Sequence, residues 1–293
     1  LAGAFFSLVA GNLTKAGLWG ILCEIFCEAE IVDVDWVKLG VCAPLEHILL
    51  AERAGFEYIE GNLSEAALMP ERSFRTLCAL VHEAGIRCEV MGYMLPRELS
   101  VIGRGVNAAQ LHAYLDLAFD RARRLGAELV VFASAAARQV PIGWPTDVAW
   151  RQLANFLRIV ERHATDHRLT VAVEPLSRME CNLLSTVAEA TLLCSILQLK
   201  HIRVMADTYH MAMEHELSES ITMAGPMLAH VHTANALGRS FPKPGDGEDY
   251  GKLFRTLKEI DYRGRVSVEA GYDNFEEEAP TAFTVLDQAR SGV

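Results

Sequence analysis

The sequence has no Cys-x-x-Cys pair, no extended cluster of lysine and arginine, and no basic stretch leading into an apolar one near its start. Each absence removes a class of protein. Its seven cysteines (Cys23, Cys27, Cys42, Cys78, Cys88, Cys181 and Cys194) are odd in number and scattered through apolar segments, so they read as reduced core residues of a cytoplasmic protein rather than a disulfide framework. Cys23 and Cys27 lie four apart without a nearby His or further Cys, which favours packing over a zinc site. Lys+Arg number 27 against 38 Asp+Glu, a net charge of −11, so neither nucleic acid nor an anionic membrane surface is an expected partner. The apolar patches 4–9 and 16–27 are interrupted by Lys15, Glu24 and Glu28 and fit neither a secretory signal nor a membrane span. Residues 1–35 are therefore treated as an N-terminal extension of unknown role.

A hydrophobic fraction of 51% over 293 residues excludes disorder and supplies a large core. From Trp36 onward, short β-branched or apolar runs alternate with longer stretches of helical period. Eight strands are predicted, over 39–43, 56–60, 87–92, 128–133, 169–174, 202–207, 228–232 and 265–269. Amphipathic segments between them include 44–54, 71–84, 107–125, 146–166, 186–197 and 249–260. Gly55, Gly85 and Gly126 stand where helices should end in the left-handed conformation, and Thr186 with Glu189 forms a candidate capping box. This pattern predicts an α/β fold, a single-domain (β/α)8 or TIM barrel over residues 36–293. An open doubly wound sheet would want a Gly-rich turn after its first strand, and none follows Val41.

In such a barrel the chemistry sits at the C-terminal ends of the strands. The last four predicted strands close on Glu174, Asp207, His232 and Glu269, which are 33, 25 and 37 residues apart, each separation the length of one βα unit. Any one of them would pass for a loop residue or helix cap. Together they are neighbours on one rim, where three carboxylates without a cation would repel one another and lose hydration. Three carboxylates and an imidazole form a hard, mainly oxygen-donor set suited to Mn2+, with Mg2+ or Co2+ as alternatives, and leave positions for two substrate oxygens. Such a cation would acidify a carbon beside a carbonyl by stabilising an enediolate. Glu174 and Glu269 come from strands three apart in the ring, so one could remove a proton and the other return it.

The segments Glu174-Pro-Leu-Ser-Arg-Met-Glu180, Asp207-Thr-Tyr-His210-Met, His230-Val-His232-Thr-Ala-Asn, Gly238-Arg239, Pro244-Gly-Asp-Gly247 and Gly264-Arg-Val-Ser-Val-Glu269 resemble the xylose-isomerase-like barrel superfamily. The resemblance is nearest to its sugar isomerase/epimerase branch, which includes ketose 3-epimerases of the tagatose/psicose type. It implies that Glu174, Asp207, His232 and Glu269 bind a divalent metal and that Glu174 and Glu269 are the acid/base pair. It also implies that Glu180, His210 and Arg239 contact substrate oxygens. Where the family has a Glu shortly after the metal His and an Arg six residues after that His, this chain has Asn235 and, seven residues after His232, Arg239. The substrate implied is a sugar or polyol ketone, and a homo-oligomer is compatible with the sequence. An inosose-dehydratase-like lyase, a hydroxypyruvate-isomerase-like enzyme, an abasic-site endonuclease-like phosphodiesterase and a non-catalytic sugar-binding barrel are the competing readings.

Four further features have plainer explanations. His163 and His167 lie four apart but lack the Glu of an H-E-x-x-H motif, so a solvated helix face is expected. His230 shares the side of His232 on its strand and is expected to be a hydrogen-bonding neighbour rather than a fifth ligand. Glu60 closes the second strand, where a substrate hydroxyl and a structural hydrogen bond are equally good partners. Pro244-Gly-Asp-Gly247 lacks the Lys-Ser/Thr of a phosphate loop and reads as a turn over the site. The loop after strand eight, 270–278, holds four acids and no base, which predicts an unphosphorylated substrate, although Arg239 and Lys243 after strand seven argue the other way.

Overall fold

A computed structural model of the chain describes residues 36–293. Cys23, Cys27 and the 1–35 extension lie outside the described residues. The described part is a closed parallel barrel of β1 (Lys38–Cys42), β2 (Tyr58–Asn62), β3 (Arg87–Gly92), β4 (Leu129–Phe132), β5 (Thr170–Val173), β6 (Ile202–Asp207), β7 (Leu228–Thr233) and β8 (Arg265–Val268), each paired with the next and β8 with β1. All eight predicted strands are present, each within two residues of the expected bounds; the largest difference is β2, which lies two residues later and ends on Asn62, paired with Gly92 of β3. Crossover helices cover the outside, so strands such as Leu129–Phe132 are buried on both faces and need no polar alternation. Among the described residues no helix is long and apolar enough to cross a membrane. The five described cysteines, Cys42, Cys78, Cys88, Cys181 and Cys194, are free thiols.

Side-chain parity sorts the barrel interior into layers. At the N-terminal end Lys38, Glu89, Glu128 and Arg265 form an ion-pair plug, with Lys38 Nζ 2.6 Å from Glu89 and Arg265 2.6 Å from Glu128. The middle is divided by chemistry. Val90, Leu129, Val131, Ala172 and Met205 pack with the Tyr58 ring as an apolar inner cluster. On the opposite wall Tyr58, Ser267, His230 and Glu60 are joined by hydrogen bonds of 2.7–2.9 Å. Gly40 makes this filling possible, because a Cβ there would stand 2.2 Å from the Tyr58 ring. The top layer opens to the C-terminal mouth.

Helix ends follow the sequence with one exception. Gly55 and Gly126 cap the helices Ile48–Ala54 and Ala108–Leu125 in the left-handed conformation, at φ of 102° and 99°. Gly85 does not: the helix Glu71–Glu83 ends on an extended Ala84. Small size is what position 85 requires, because a Cβ would lie 2.1 Å from the Glu52 carboxylate that accepts the Gly85 N–H. Thr186 accepts the Glu189 N–H at 3.1 Å as expected, while the Glu189 carboxylate accepts from Ser185, one residue earlier than a capping box requires. His163 also departs from expectation. It is buried between the helices Ala108–Leu125 and Thr146–His167, with its ring nitrogens 2.8 Å from His112 and 2.9 Å from Asp116, because its helix face packs on a neighbour rather than on water. The loop after β8 is shorter than read: the helix Phe275–Ser291 begins inside it, and Glu276, Glu277 and Glu278 occupy its first turn.

Candidate metal centre and substrate pocket

Glu174 follows β5, Asp207 closes β6, His232 lies near the end of β7 and Glu269 follows β8. The structure brings one ligand atom from each to within 4.8 Å of all the others, and all four residues are buried. Backbone and side chain both contribute to the placement of Asp207. Its Oδ1 accepts the Tyr209 N–H at 2.8 Å and so caps the helix Thr208–Met213, which leaves Oδ2 turned into the cluster. The carbonyl of Glu174 is held by the guanidinium of Arg138, a fully buried residue on the short helix Ala135–Arg138 after β4. Sequence reasoning missed Arg138; its only signal was a lone charge at the end of an alanine run.

The polar residues that the resemblance implied gather around the same point. Arg239 Nη2 lies 3.2 Å from Asp207 Oδ2 and 2.5 Å from Glu269 Oε2, and Nη1 lies 3.0 Å from Glu180 Oε1. Its guanidinium sits 4.7 Å from the centre of the Tyr209 ring. His210 accepts the Ser177 N–H at Nδ1, 3.2 Å away, so its proton is on Nε2. That Nε2 points between Asp207 Oδ2 at 3.6 Å and Glu174 Oε1 at 3.9 Å without bonding to either. Burial, helped by the Arg239 charge, pushes His210 down to about 3, so it is a neutral donor aimed into the site. Asn235, standing where the family has its Glu, instead donates to the Asp246 carbonyl and ties down the 244–247 turn.

The electrostatics are those of an anion cluster in a dry place. Burial raises Glu174 to about 7, and burial with the Glu269 charge raises Asp207 to about 6. Burial also works against Glu269, yet the charges of His232 and Arg239 hold it down to about 2. Both oxygens of Glu174 are buried without a hydrogen-bond partner, and so is Nδ1 of His232. A buried carboxylate with no partner is costly, and several acceptors converging on one point are the donor set of a cation. With no thiolate among the four, the chemistry of the set fits a hard divalent ion.

Beyond the cluster, the mouth opens toward the ends of β2, β3 and β4. A cavity of about 640 Å3 there is lined by Tyr93, Pro96, Arg97, Ser134 and Glu180 among others, and Glu180 links it to Arg239. This volume lies within the roughly 300–1,000 Å3 usual for small-molecule sites.

Comparison with known proteins agrees with this architecture. The xylose isomerase-like TIM barrel family matches residues 48–289. The chain belongs to this family. Two relatives of this family member are a 3-dehydro-D-guloside 4-epimerase of Escherichia coli, 31% identical over 121 residues, and a D-psicose 3-epimerase of Agrobacterium fabrum, 32% identical over 108 residues. These matches take in 41% and 36% of this chain, and the chain spans less than half of each relative, 45% and 36% of their lengths. Among solved structures, a D-psicose 3-epimerase crystallised in the presence of D-fructose superposes with a TM-score of 0.75 at 19% identity, over 86% of this chain and 100% of the other, which is a likeness of fold.

Proposed function

We infer that the chain is a divalent-metal-dependent sugar epimerase that acts on an unphosphorylated ketose by moving a proton at the carbon next to the carbonyl. The observation that carries this reading is the convergence of Glu174, Asp207, His232 and Glu269 on one point, with the Glu174 carboxylate buried and unpaired. The relatives named as epimerases support the choice of reaction. A bound divalent ion, Mn2+ in this reading with Mg2+ or Co2+ as alternatives, would supply positive charge to the carbonyl and adjacent hydroxyl oxygens and so acidify the C–H beside them. The protein's own groups do the rest. Glu174 and Glu269 stand just beyond the ends of β5 and β8, three steps apart around the ring, so each reaches a different side of a sugar between them. One takes the proton from the substrate carbon, the other returns it on the opposite face, and the sugar passes through an enediolate. His210 offers its Nε2–H to a substrate oxygen, and Arg239 and Glu180 fix hydroxyl groups at the mouth.

The assay that tests this reading is deuterium incorporation from solvent at the carbon beside the carbonyl. Substrates to compare are D-psicose, D-tagatose, L-ribulose and a 3-keto-glucoside, with Mn2+ present. Incorporation into at least one, together with its epimer as product, is the expected outcome. Elimination of water instead would favour the inosose-dehydratase-like reading, and no exchange into any ketose would remove the proposed reaction.

Replacing Arg239 by Lys should lower kcat/KM by about 10- to 100-fold while leaving the barrel intact. A single ammonium cannot bridge Glu180, Asp207 and Glu269 as the planar guanidinium does, and each lost charge-assisted bond is worth roughly 1.5–3 kcal/mol. Steady-state kinetics beside a thermal melt separates the two effects.

A free sugar is favoured over its phosphate ester because the local bases are already engaged. Lys243 lies 3.2 Å from Glu278, and Arg239 faces three carboxylates. The start of the helix Phe275–Ser291 is capped from within, since Asn274 accepts the Glu276 N–H and Glu278 accepts the N–H groups of Asp273 and Asn274. A phosphate dianion there would meet carboxylates rather than free donors. The expected ratio of kcat/KM for the free ketose over its ester is above about 10, the factor that 1.4 kcal/mol represents. A preference for the ester would reassign Arg239 and Lys243 as phosphate ligands. The acidic chain and its free thiols suit a cytoplasmic enzyme without nucleic-acid or membrane partners.

A further inference from the structure

The two ring nitrogens of His232 face different surroundings. Nδ1 lies 3.2 Å from Glu269 Oε2 and 3.6 Å from Glu174 Oε1, on the side of the carboxylate cluster. Nε2 points back into the barrel, 3.1 and 3.2 Å from the two carboxylate oxygens of Glu60. Glu60 is 2% exposed, and its other contacts are His230 Nε2 at 2.9 Å and Ser267 Oγ at 2.7 Å. Tyr58 adds its hydroxyl 2.7 Å from Ser267 Oγ. An ionised carboxylate only accepts, so its neighbours must donate. Ser267 gives its proton to Glu60 and accepts from Tyr58, while His230 and His232 each present an Nε2–H. In the metal-free chain the His232 ring is charged and carries hydrogen on both nitrogens; a cation at Nδ1 would displace the hydrogen there, leaving the Nε2–H that Glu60 accepts and a lone pair on Nδ1.

We propose that Glu60 is a positioning residue that fixes the proton of His232 on Nε2 and thereby aims the Nδ1 lone pair at the cation position shared by Glu174, Asp207 and Glu269. The inference rests on the metal reading given above. It explains why a carboxylate is buried on the polar wall of the barrel, where an apolar side chain would fill the space without desolvation cost. It also explains the surroundings of Glu60, because a Cβ at Gly92 would stand 3.0 Å from its Oε1 and crowd the carboxylate. A carboxylate behind a metal-binding imidazole orients the ring and raises its basicity, and removing it typically weakens metal binding by 10- to 100-fold.

Glu60→Gln is the direct test, since Gln matches Glu in size but has one acceptor oxygen and an NH2 that donates. It cannot accept from His230, His232 and Ser267 together, so at least one ring must turn an acceptor nitrogen toward it. Mn2+ affinity of the whole chain, measured by equilibrium dialysis, should weaken by about 10- to 100-fold. Ser267→Ala removes a donor from Glu60 but leaves the His232 contact, so its Mn2+ affinity should stay within about twofold of the unsubstituted protein. The proton itself is visible in long-range 1H–15N spectra of the Mg2+-loaded protein, where His232 should carry hydrogen on Nε2 alone. That spectrum needs no variant, so the test survives if Glu60→Gln does not fold. Hydrogen on Nδ1 of His232 in the Mg2+-loaded protein, or unchanged Mn2+ affinity in folded Glu60→Gln, overturns the proposal while leaving the metal centre in place. If the unsubstituted protein binds neither Mn2+ nor Mg2+, the metal reading falls first and this inference with it.

Discussion

Glu174→Gln and Glu269→Gln should each lower kcat by about 100- to 10,000-fold, the usual contribution of one positioned acid or base. An amide matches the carboxylate in size and its oxygen can still approach a cation, but it cannot carry the proton. The two variants should therefore fold, as shown by circular dichroism and melting temperature, and should retain much of their sugar binding. They differ in what they relieve. Glu174 is wholly buried with both oxygens unpaired, so Gln there removes a desolvated charge and should cost little stability. Glu269 is bonded to Arg239 and faces His232, so Gln there leaves a guanidinium short of a partner and should destabilise the protein more. An epimerase with two bases gives a further check. Each single variant should fail in both reaction directions, because every turnover needs one group to take the proton and the other to give it. Comparable turnover of both variants would place the acid and base elsewhere.

How much of this was legible in the sequence depends on which residues carried it. The strands were readable because burial on both faces leaves apolar runs such as Val171–Val173, and their C-terminal residues were readable because barrels place chemistry there. The seven residues read as site candidates gather at one mouth, Glu180 and Arg239 through a 3.0 Å ion pair. What escaped was structure made by partners distant in sequence. Gly85 reads as a helix cap until Glu52 is found beside it. His163 reads as a surface residue until His112 and the neighbouring helix cover it. Arg138 escaped for the same reason, since it acts on a residue 36 positions away. Glu60 was singled out at the end of its strand with two kinds of partner open, and its hydrogen-bond partner His232, 172 positions away, is a pairing that local periodicity does not report.

Removal of the metal by a chelator should abolish sugar turnover and lower the melting temperature by about 5–10 °C. A ligand present at 100 times its dissociation constant stabilises the folded state by about 2.7 kcal/mol, and a domain of this size shifts by roughly 2–4 °C per kcal/mol. Readdition of Mn2+ should restore both properties. The direction of the pH dependence follows from the ligands. Burial holds Glu174 up at about 7 and Asp207 at about 6, so near pH 6 both carry protons part of the time in the metal-free protein. A cation binds only their ionised forms, so metal affinity should fall as pH drops from about 8 to about 5, and binding should release protons. Glu269, held down to about 2 by His232 and Arg239, is ionised throughout this range and contributes nothing to the change. Calorimetric titration with Mn2+ in buffers of different ionisation enthalpy measures the release directly. More protons should leave at pH 6 than at pH 8, and affinity that did not vary with pH would show that these carboxylates are not the ligands.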